Sequence, residues 1–223
     1  MTEDIGEDLL ARERGEMVEV LKRYGIHDQR ILSVMGNVRR HMFIPLEHRQ
    51  RGVSYGDHPW SIGDGQTISQ PYIVAYMTEK LKLQAGEKVL EVGTGSGYQA
   101  AVLAALGVKV YSVEVNAGLA QHARDVLAGE GLGERVQVLT GDGYKGWPEH
   151  APYDAVIATC APEAVPQALV DQLRDGGRMI LPVGPSGDQR LVMVRKCLGL
   201  ARLENDLPVR FVPMVAGRGR GNG

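Results

Sequence analysis

From residue 71 onward the chain alternates short apolar runs with helical segments, and that rhythm restricts the fold more than any other feature. The runs are KVLEV (88–92), VKVYSVE (108–114), RVQVL (135–139), YDAVIAT (153–159) and RMILPV (178–183). Helical patterns lie near 98–106, 116–129 and 163–174, after a stripe of Tyr72, Ile73, Tyr76, Met77 and Leu81. Continuous apolar runs joined by helices predict βαβ units and a parallel sheet covered on both faces. Beyond residue 186, RLVMVRKC and PVRFVPMV follow without a helix between them, which predicts antiparallel strands closing one edge. The expectation is an α/β fold.

Upstream the pattern differs. Leu9, Leu10, Met17, Val20 and Leu21 predict a helix within 7–24, and Asp28 caps a second with Ile31, Leu32, Met35 and Val38 on one face. That pattern gives out near Pro45. Residues 45–70, rich in Gly, His, Ser and Gln, show no clear period, and a loop of that length inside a compact domain is usually functional. The basic stretches Arg39-Arg40-His41 and His48-Arg49-Gln50-Arg51 read as solvated helix ends. The expected organisation is a single domain over 1–223: helices and a long loop to residue 70, the sheet over 71–215, and a disordered tail over 216–223.

Composition removes several function classes. A formal net charge of −2 gives no global field for nucleic acid or an anionic membrane. No apolar stretch approaches the roughly 18 residues of a membrane span, and the acidic start MTEDIGEDLL lacks the marks of a leader. Cys160 and Cys197 form no close pair, and the six histidines show no metal-ligand spacing. These features predict a cytoplasmic protein that binds no metal, nucleic acid or membrane; a monomer is expected, although none of them reports the oligomeric state.

The first βα turn carries the chemistry. In VLEVGTGSGYQAA, Gly93, Gly95 and Gly97 follow an apolar run and open a helix, so a ligand can approach the backbone closely. Glu114 ends the next strand, 21 residues beyond Gly93, where an acid accepts hydrogen bonds from ribose hydroxyls. A dinucleotide loop requires G-x-G-x-x-G. This loop is G-x-G-x-G, which resembles motif I of the S-adenosylmethionine-dependent methyltransferases. Asp142, flanked by Gly141 and Gly143 just past the third strand, is either an adenine contact or a plain Asp-Gly turn.

The acceptor must be read elsewhere. The segments SIGDGQTISQPYIVAYMTEKL, VLEVGTGSGYQAAVLA, GDGYKGWPEHAPYDAVIATCAPEAVPQALVDQL, GGRMILPVG and PVRFVPMV resemble the protein-L-isoaspartate (D-aspartate) O-methyltransferase family over about residues 28 to 215. GQTISQP is the specific element, because generic methyltransferases share the glycine turn but lack this loop. The resemblance implies a Rossmann-like S-adenosylmethionine-dependent methyltransferase fold, with a mostly parallel seven-stranded sheet, an antiparallel edge and an N-terminal helical addition. It implies methyl transfer to the free α-carboxylate of L-isoaspartyl residues in damaged proteins and peptides, which starts repair through a succinimide. Implied cofactor contacts are Glu91, Gly93, Thr94, Gly95, Ser96, Gly97, Glu114, Val115, Gly141, Asp142, Gly143 and Thr159. Gln66, Thr67, Ile68 and Ile62, with Phe211, Val212 and Pro213, are the implied substrate groove, although the apolar ones also read as core.

Ser69 matches the family's serine and is the expected catalytic residue. Followed by Gln70, Pro71 and a helical stripe, it also reads as an ordinary N-cap, in which case Thr67 takes the substrate role. Cys160, at the end of the fourth strand, reads as packing. Asp64 departs from the more apolar residue common in the family, and an acid there would repel an anionic peptide unless it points away. Two other classes stay open: a methyltransferase for another carboxylate or hydroxyl, and a module that only senses the cofactor.

Overall fold

The structure is a computed structural model that describes residues 6–49 and 52–217. Three helices lead the chain: α1 (Glu7–Arg23), α2 (Gln29–Asn37) and, after a hairpin of β1 (Trp60–Gly63) and β2 (Gln66–Ile68), α3 (Pro71–Leu81). The Asp28 side chain accepts from the Arg30 N–H and caps α2, as its sequence predicts. Glu79 of α3 accepts from the N–H groups of His27 and Asp28, tying the start of α2 to α3.

The sheet comprises β3 (Lys88–Val92), β4 (Lys109–Glu114), β5 (Val136–Thr140), β6 (Tyr153–Ala158), β7 (Leu173–Val183), β8 (Gln189–Cys197) and β9 (Leu200–Val209), in spatial order 5-4-3-6-7-8-9. Pairs from β5 through β7 are parallel, and β8 and β9 close the edge antiparallel. Helices α4 (Tyr98–Ala105), α5 (Ala117–Gly129) and α6 (Gln167–Asp171) connect the strands. Val89, Ala155, Ile180 and Met193 pack with α1 to α5 in one core, while Leu90, Val156, Met179 and Val194 pack with α6 in a second. The central parallel strands β3 and β6 are thus buried on both sides, which explains their continuous apolar runs, whereas the edge strand β5 leaves Gln137 and Thr140 exposed. Strand order reverses between β3 and β6, so their carboxyl ends open a crevice at Gly93 and Thr159.

Four expectations are corrected. The 45–70 segment is not wholly irregular. Its Asp64-Gly65 pair has positive φ at both residues (51° and 68°), which matches the twist of a tight hairpin and generates β1 and β2. The helix expected over 163–174 is confined to Gln167–Asp171, because Pro162 and Pro166 restrict the residues before them and β7 begins at Leu173. The last strand is 200–209 rather than PVRFVPMV at 208–215. Leu198 and Gly199, both at positive φ, make a two-residue turn that pairs Cys197 with Leu200 and fixes the register. Residues beyond 209 then leave the sheet, and Pro213 bridges to Ala161.

The fourth correction concerns Arg39-Arg40-His41. Arg39 is exposed and pairs with Glu130, but Arg40 and His41 are buried. Arg49 donates to the carbonyls of Ile44 and Met42. Gln50, Arg51 and residues 218–223 of the expected tail lie outside the described residues; 216 and 217 have no regular structure.

Candidate active site

The glycine loop takes its shape from its neighbours. Gly93, Gly95 and Gly97 all adopt positive φ (92°, 52° and 89°). A Cβ on Gly93 would sit 2.7 Å from Thr159 Oγ1, so the crossing of β3 and β6 ends tolerates no side chain there. The Glu114 carboxylate accepts from Gly95 N–H at 2.8 Å and from Asn116 N–H at 2.9 Å. It thereby holds the loop against the end of β4, and each oxygen keeps a second lone pair for a ligand hydroxyl.

Glu91 is not part of the wall. It is fully buried beneath the loop, where Ser112 Oγ donates to Oε2 and itself meets Thr94 Oγ1. Its Oε1 has no partner, and burial pushes the carboxyl up to about 8. Glu91 supports the loop from within the sheet rather than meeting a ligand, because its place in β3 (burial across Val89–Val92) faces it inward.

The hairpin forms the facing wall. At its tip the Asp64 carboxylate accepts from Asn116 Nδ2 at 2.9 Å, so this acid is turned toward the post-β4 loop. Ile62 and Ile68 are both buried, and Ile62 Cδ1 lies 3.8 Å from where a Gly95 Cβ would stand.

Helix α3 removes one of the two roles open to Ser69, that of its cap. Its N-cap is Gln70, with Pro71 as the first helical residue, and no side chain at the cap position serves it. Asp57 does so instead: one carboxylate oxygen accepts from Tyr72 N–H at 2.8 Å and the other from Gln70 Nε2 at 2.7 Å. Ser69 is therefore not the cap. Its side chain has no hydrogen-bond partner among the described residues, and it lines the cavity.

A strap of residues 211–214 closes the third side. Gln189, buried at the start of β8, accepts from Phe211 N–H at 2.6 Å and donates to Phe211 O at 3.2 Å. Ala161 N–H donates to Val212 O and Met214 N–H to Ala161 O, both at 2.8 Å. Gln189 and Asp57 escaped the sequence reading, since neither sits in a motif and each acts through backbone groups far away in the chain.

Two depressions result. One is walled by the glycine loop, Glu114, Val115 and Asn116 on one side and by Gln66 to Ser69 on the other. The second is a groove along Pro59, Ile73, Arg210 and Phe211. Thr67, Ser69, Thr159 and Val212 belong to both and form their common wall. Of the residues expected at the cofactor, Gly93, Thr94, Gly95, Ser96, Glu114, Val115, Gly143 and Thr159 line the first depression. Gly97 is the N-cap residue of α4, packed close to Ala123 and Leu127. Gly141 and Asp142 do not line the first depression, although the adjacent Gly143 does. One Asp142 oxygen accepts from Tyr144 N–H, and Gly217 packs on its Cβ. Of the groove residues, Gln66, Thr67, Ile68, Val212 and Pro213 reach the first depression and Phe211 the second, while Ile62 is core. Cys160 borders the cavity, half-buried, and burial pushes its thiol up to about 12, which disfavours the reactive thiolate. No group of three metal-ligating side chains assembles among the described residues.

Known proteins share this arrangement. The model of the family described as protein-L-isoaspartate(D-aspartate) O-methyltransferase matches residues 12–219. A protein-L-isoaspartate O-methyltransferase of Synechococcus sp. is 50% identical over 217 residues, covering 93% of this chain and 87% of its own. That of Gloeobacter violaceus is 50% identical over 199 residues, covering 88% and 95%. A solved protein-L-isoaspartate O-methyltransferase superposes with a TM-score of 0.81 at 30% identity, over 92% of this chain and 66% of that one. A Plasmodium falciparum structure solved in complex with S-adenosyl-L-homocysteine shares the fold, with a TM-score of 0.78 at 24% identity over 90% and 97%. With a family match spanning nearly the whole chain, on a fold whose glycine loop and GQTIS segment share one cavity, the chain belongs to the protein-L-isoaspartate (D-aspartate) O-methyltransferase family.

Proposed function

We infer that this protein transfers a methyl group from S-adenosylmethionine to the free α-carboxylate of L-isoaspartyl residues in damaged proteins and peptides, the first step of their repair through a succinimide. Besides family membership, one observation carries the reading: Ser69, with a hydroxyl free of helix capping, stands in the wall shared by the cofactor cavity and the groove.

The residues fit the cofactor. The positive-φ glycines bring bare backbone to the cavity, and Glu114 offers lone pairs suited to two ribose hydroxyls. Asp142, at the same sheet edge, is proposed for the adenine amino group. Bound there, S-adenosylmethionine supplies an electrophilic methyl group on a sulfonium cation.

The remaining chemistry asks little of acids and bases. An α-carboxyl with a reference pKa of about 3.5 is already ionised at neutral pH, so no general base is required. The shared wall accordingly presents neutral donors, the hydroxyls of Thr67 and Ser69, while the Thr159 hydroxyl is spent on the Gly93 carbonyl. Ser69 is the proposed catalytic residue: its O–H orients the carboxylate at a lower desolvation cost than a salt bridge would carry. Charge is dispersed as an anion meets a cation, so excluding water from the wall favours the transfer. Ile68 and Val212 contribute that exclusion, while Phe211 and Pro213 shape the groove for an extended backbone.

We further propose one methyltransferase domain acting as a monomer in the cytoplasm, without nucleic acid. No described helix is long and apolar enough to cross a membrane, and both cysteines are free. Two peptides differing only in one L-isoaspartyl or L-aspartyl linkage, incubated with methyl-labelled cofactor, test the central reading. Base-labile label on the isoaspartyl peptide alone is expected. Label on neither, with cofactor binding intact, would point to another acceptor.

A further inference from the structure

Arg40 has an unusual environment for a cation. It is 0% exposed, and its guanidinium donates to three carbonyls from two stretches: Ser54 at 2.6 Å and His58 at 3.4 Å in the loop before β1, and Ser69 at 3.0 Å after β2. The Tyr98 ring lies 5.5 Å away. Nε has no partner, and no carboxylate pairs with Arg40 among the described residues. The acid closest in influence, Asp57, is committed to capping α3. Burying a charge without a counter-ion is costly, and hydrogen bonds to neutral carbonyls offset that cost only in part. Packing alone therefore does not account for a guanidinium here.

Its position relative to the site does. The Nη2 group donates to the carbonyl of the residue proposed to hold the acceptor, and the donors of the wall shared with the cofactor cavity are neutral hydroxyls, since Arg210 lines the groove but not that shared wall. An anionic carboxylate entering a poorly hydrated wall needs compensating charge. Resting on the methyl-transfer reading, we propose that Arg40 is a positioning residue for the acceptor carboxylate. It fixes the Ser69 backbone from the protein side and supplies positive potential across a low-dielectric layer. Because it acts from behind the wall, it leaves the carboxylate's lone pairs free to react.

The test uses Arg40→Gln and Arg40→Lys in the full chain, with calorimetric S-adenosylmethionine binding as the check on folding. Two peptides are compared: the isoaspartyl substrate, read by its KM, and the same peptide with its α-carboxyl converted to the carboxamide, read by its Ki as a competitor. For Arg40→Gln the expected result is unchanged cofactor affinity, a substrate KM raised about tenfold, and a carboxamide Ki within about twofold of wild type. Both constants rising by one factor would mean a generally loosened groove and would overturn the proposal, as would an unchanged KM. Should the Gln variant fail to bind cofactor, Arg40→Lys decides. With charge kept and the fork lost, it should retain the wild-type preference for carboxylate over carboxamide while kcat falls, and loss of that preference refutes the role. A wild-type protein that methylates no isoaspartyl peptide instead removes the parent reading.

Discussion

The two walls of the cavity are held by opposite means. The glycine wall hangs from a parallel sheet: Gly93 N–H donates to Val113 O, Thr159 N–H to Val92 O, and Gly95 N–H to the carboxylate at the end of β4. Its geometry is a continuation of regular hydrogen bonding. The GQTIS wall has little such support, since its two strands pair only with each other. It is fastened by single long-range side chains: Arg40 to Ser69 O, Asp57 to Tyr72 N–H, Asp64 to Asn116 and His48 Nδ1 to Ser61 O. The contrast separates a glycine wall that is stable by repetition from a GQTIS wall, proposed to meet the acceptor, that depends on individual contacts. Damage to the first should show in stability and cofactor affinity, and damage to the second in acceptor chemistry.

Ser69→Ala should give the largest effect and the cleanest break between the walls. Turnover is expected to fall about a hundredfold while cofactor affinity stays at the wild-type value. A loss confined to melting temperature, with activity intact, would return Ser69 to a structural role. Gly93→Ala strikes the other wall. A Cβ 2.7 Å from Thr159 Oγ1, on a residue held at positive φ, should cost about 2 kcal/mol of stability and weaken cofactor binding. Urea titration with calorimetry checks both, and an unperturbed variant would show that the loop is not held as described.

Glu91 sharpens the comparison through pH. Its folded carboxyl is raised from an ordinary 4.5 to about 8, chiefly by burial, against the pull of the Ser112 hydrogen bond. A raised folded value means that the neutral form stabilises the fold. That contribution is complete below about 4.5 and is lost as pH rises through about 8. Wild-type stability should therefore decline across this window by on the order of 1–2 kcal/mol more than that of Glu91→Gln, once solvent entry is allowed for. Denaturation midpoints at pH 5, 6.5 and 8 measure it, and parallel curves would contradict a buried neutral acid. Asp57→Ala should be mildest, costing about 1 kcal/mol through the lost cap of α3. Because Gln70 loses its anchor too, substrate KM should rise more than cofactor Kd does.

This division also explains what could be read from the chain. The βαβ rhythm, the G-x-G-x-G loop and the acid that ends β4, Glu114, are legible because periodicity and glycine conformation are local properties. The antiparallel edge is visible in the sequence but the place of its last strand is not: LARLENDLPV carries no apolar run, whereas the apolar PVRFVPMV is mostly strap. The wall position of Ser69 was suggested by resemblance, yet its release from capping depended on Asp57, a residue 12 positions upstream with no motif to mark it. Arg40 looked solvated because a basic cluster ordinarily is; only folding reveals which of its members turns inward. Glu91 lies next to the motif in sequence, but β3 alternation sends it beneath the loop rather than into the cavity.

The most direct measurement follows an isoaspartyl peptide through repeated turnover by chromatography and mass spectrometry. The expected course is a transient methyl ester on the free α-carboxylate, then a succinimide, then growing aspartyl peptide at the expense of the starting isomer, with the aspartyl control unmodified. A stable methyl group on any other side chain, or an isoaspartyl peptide that persists while cofactor is consumed, would contradict the assignment of the GQTIS wall to a misplaced carboxylate.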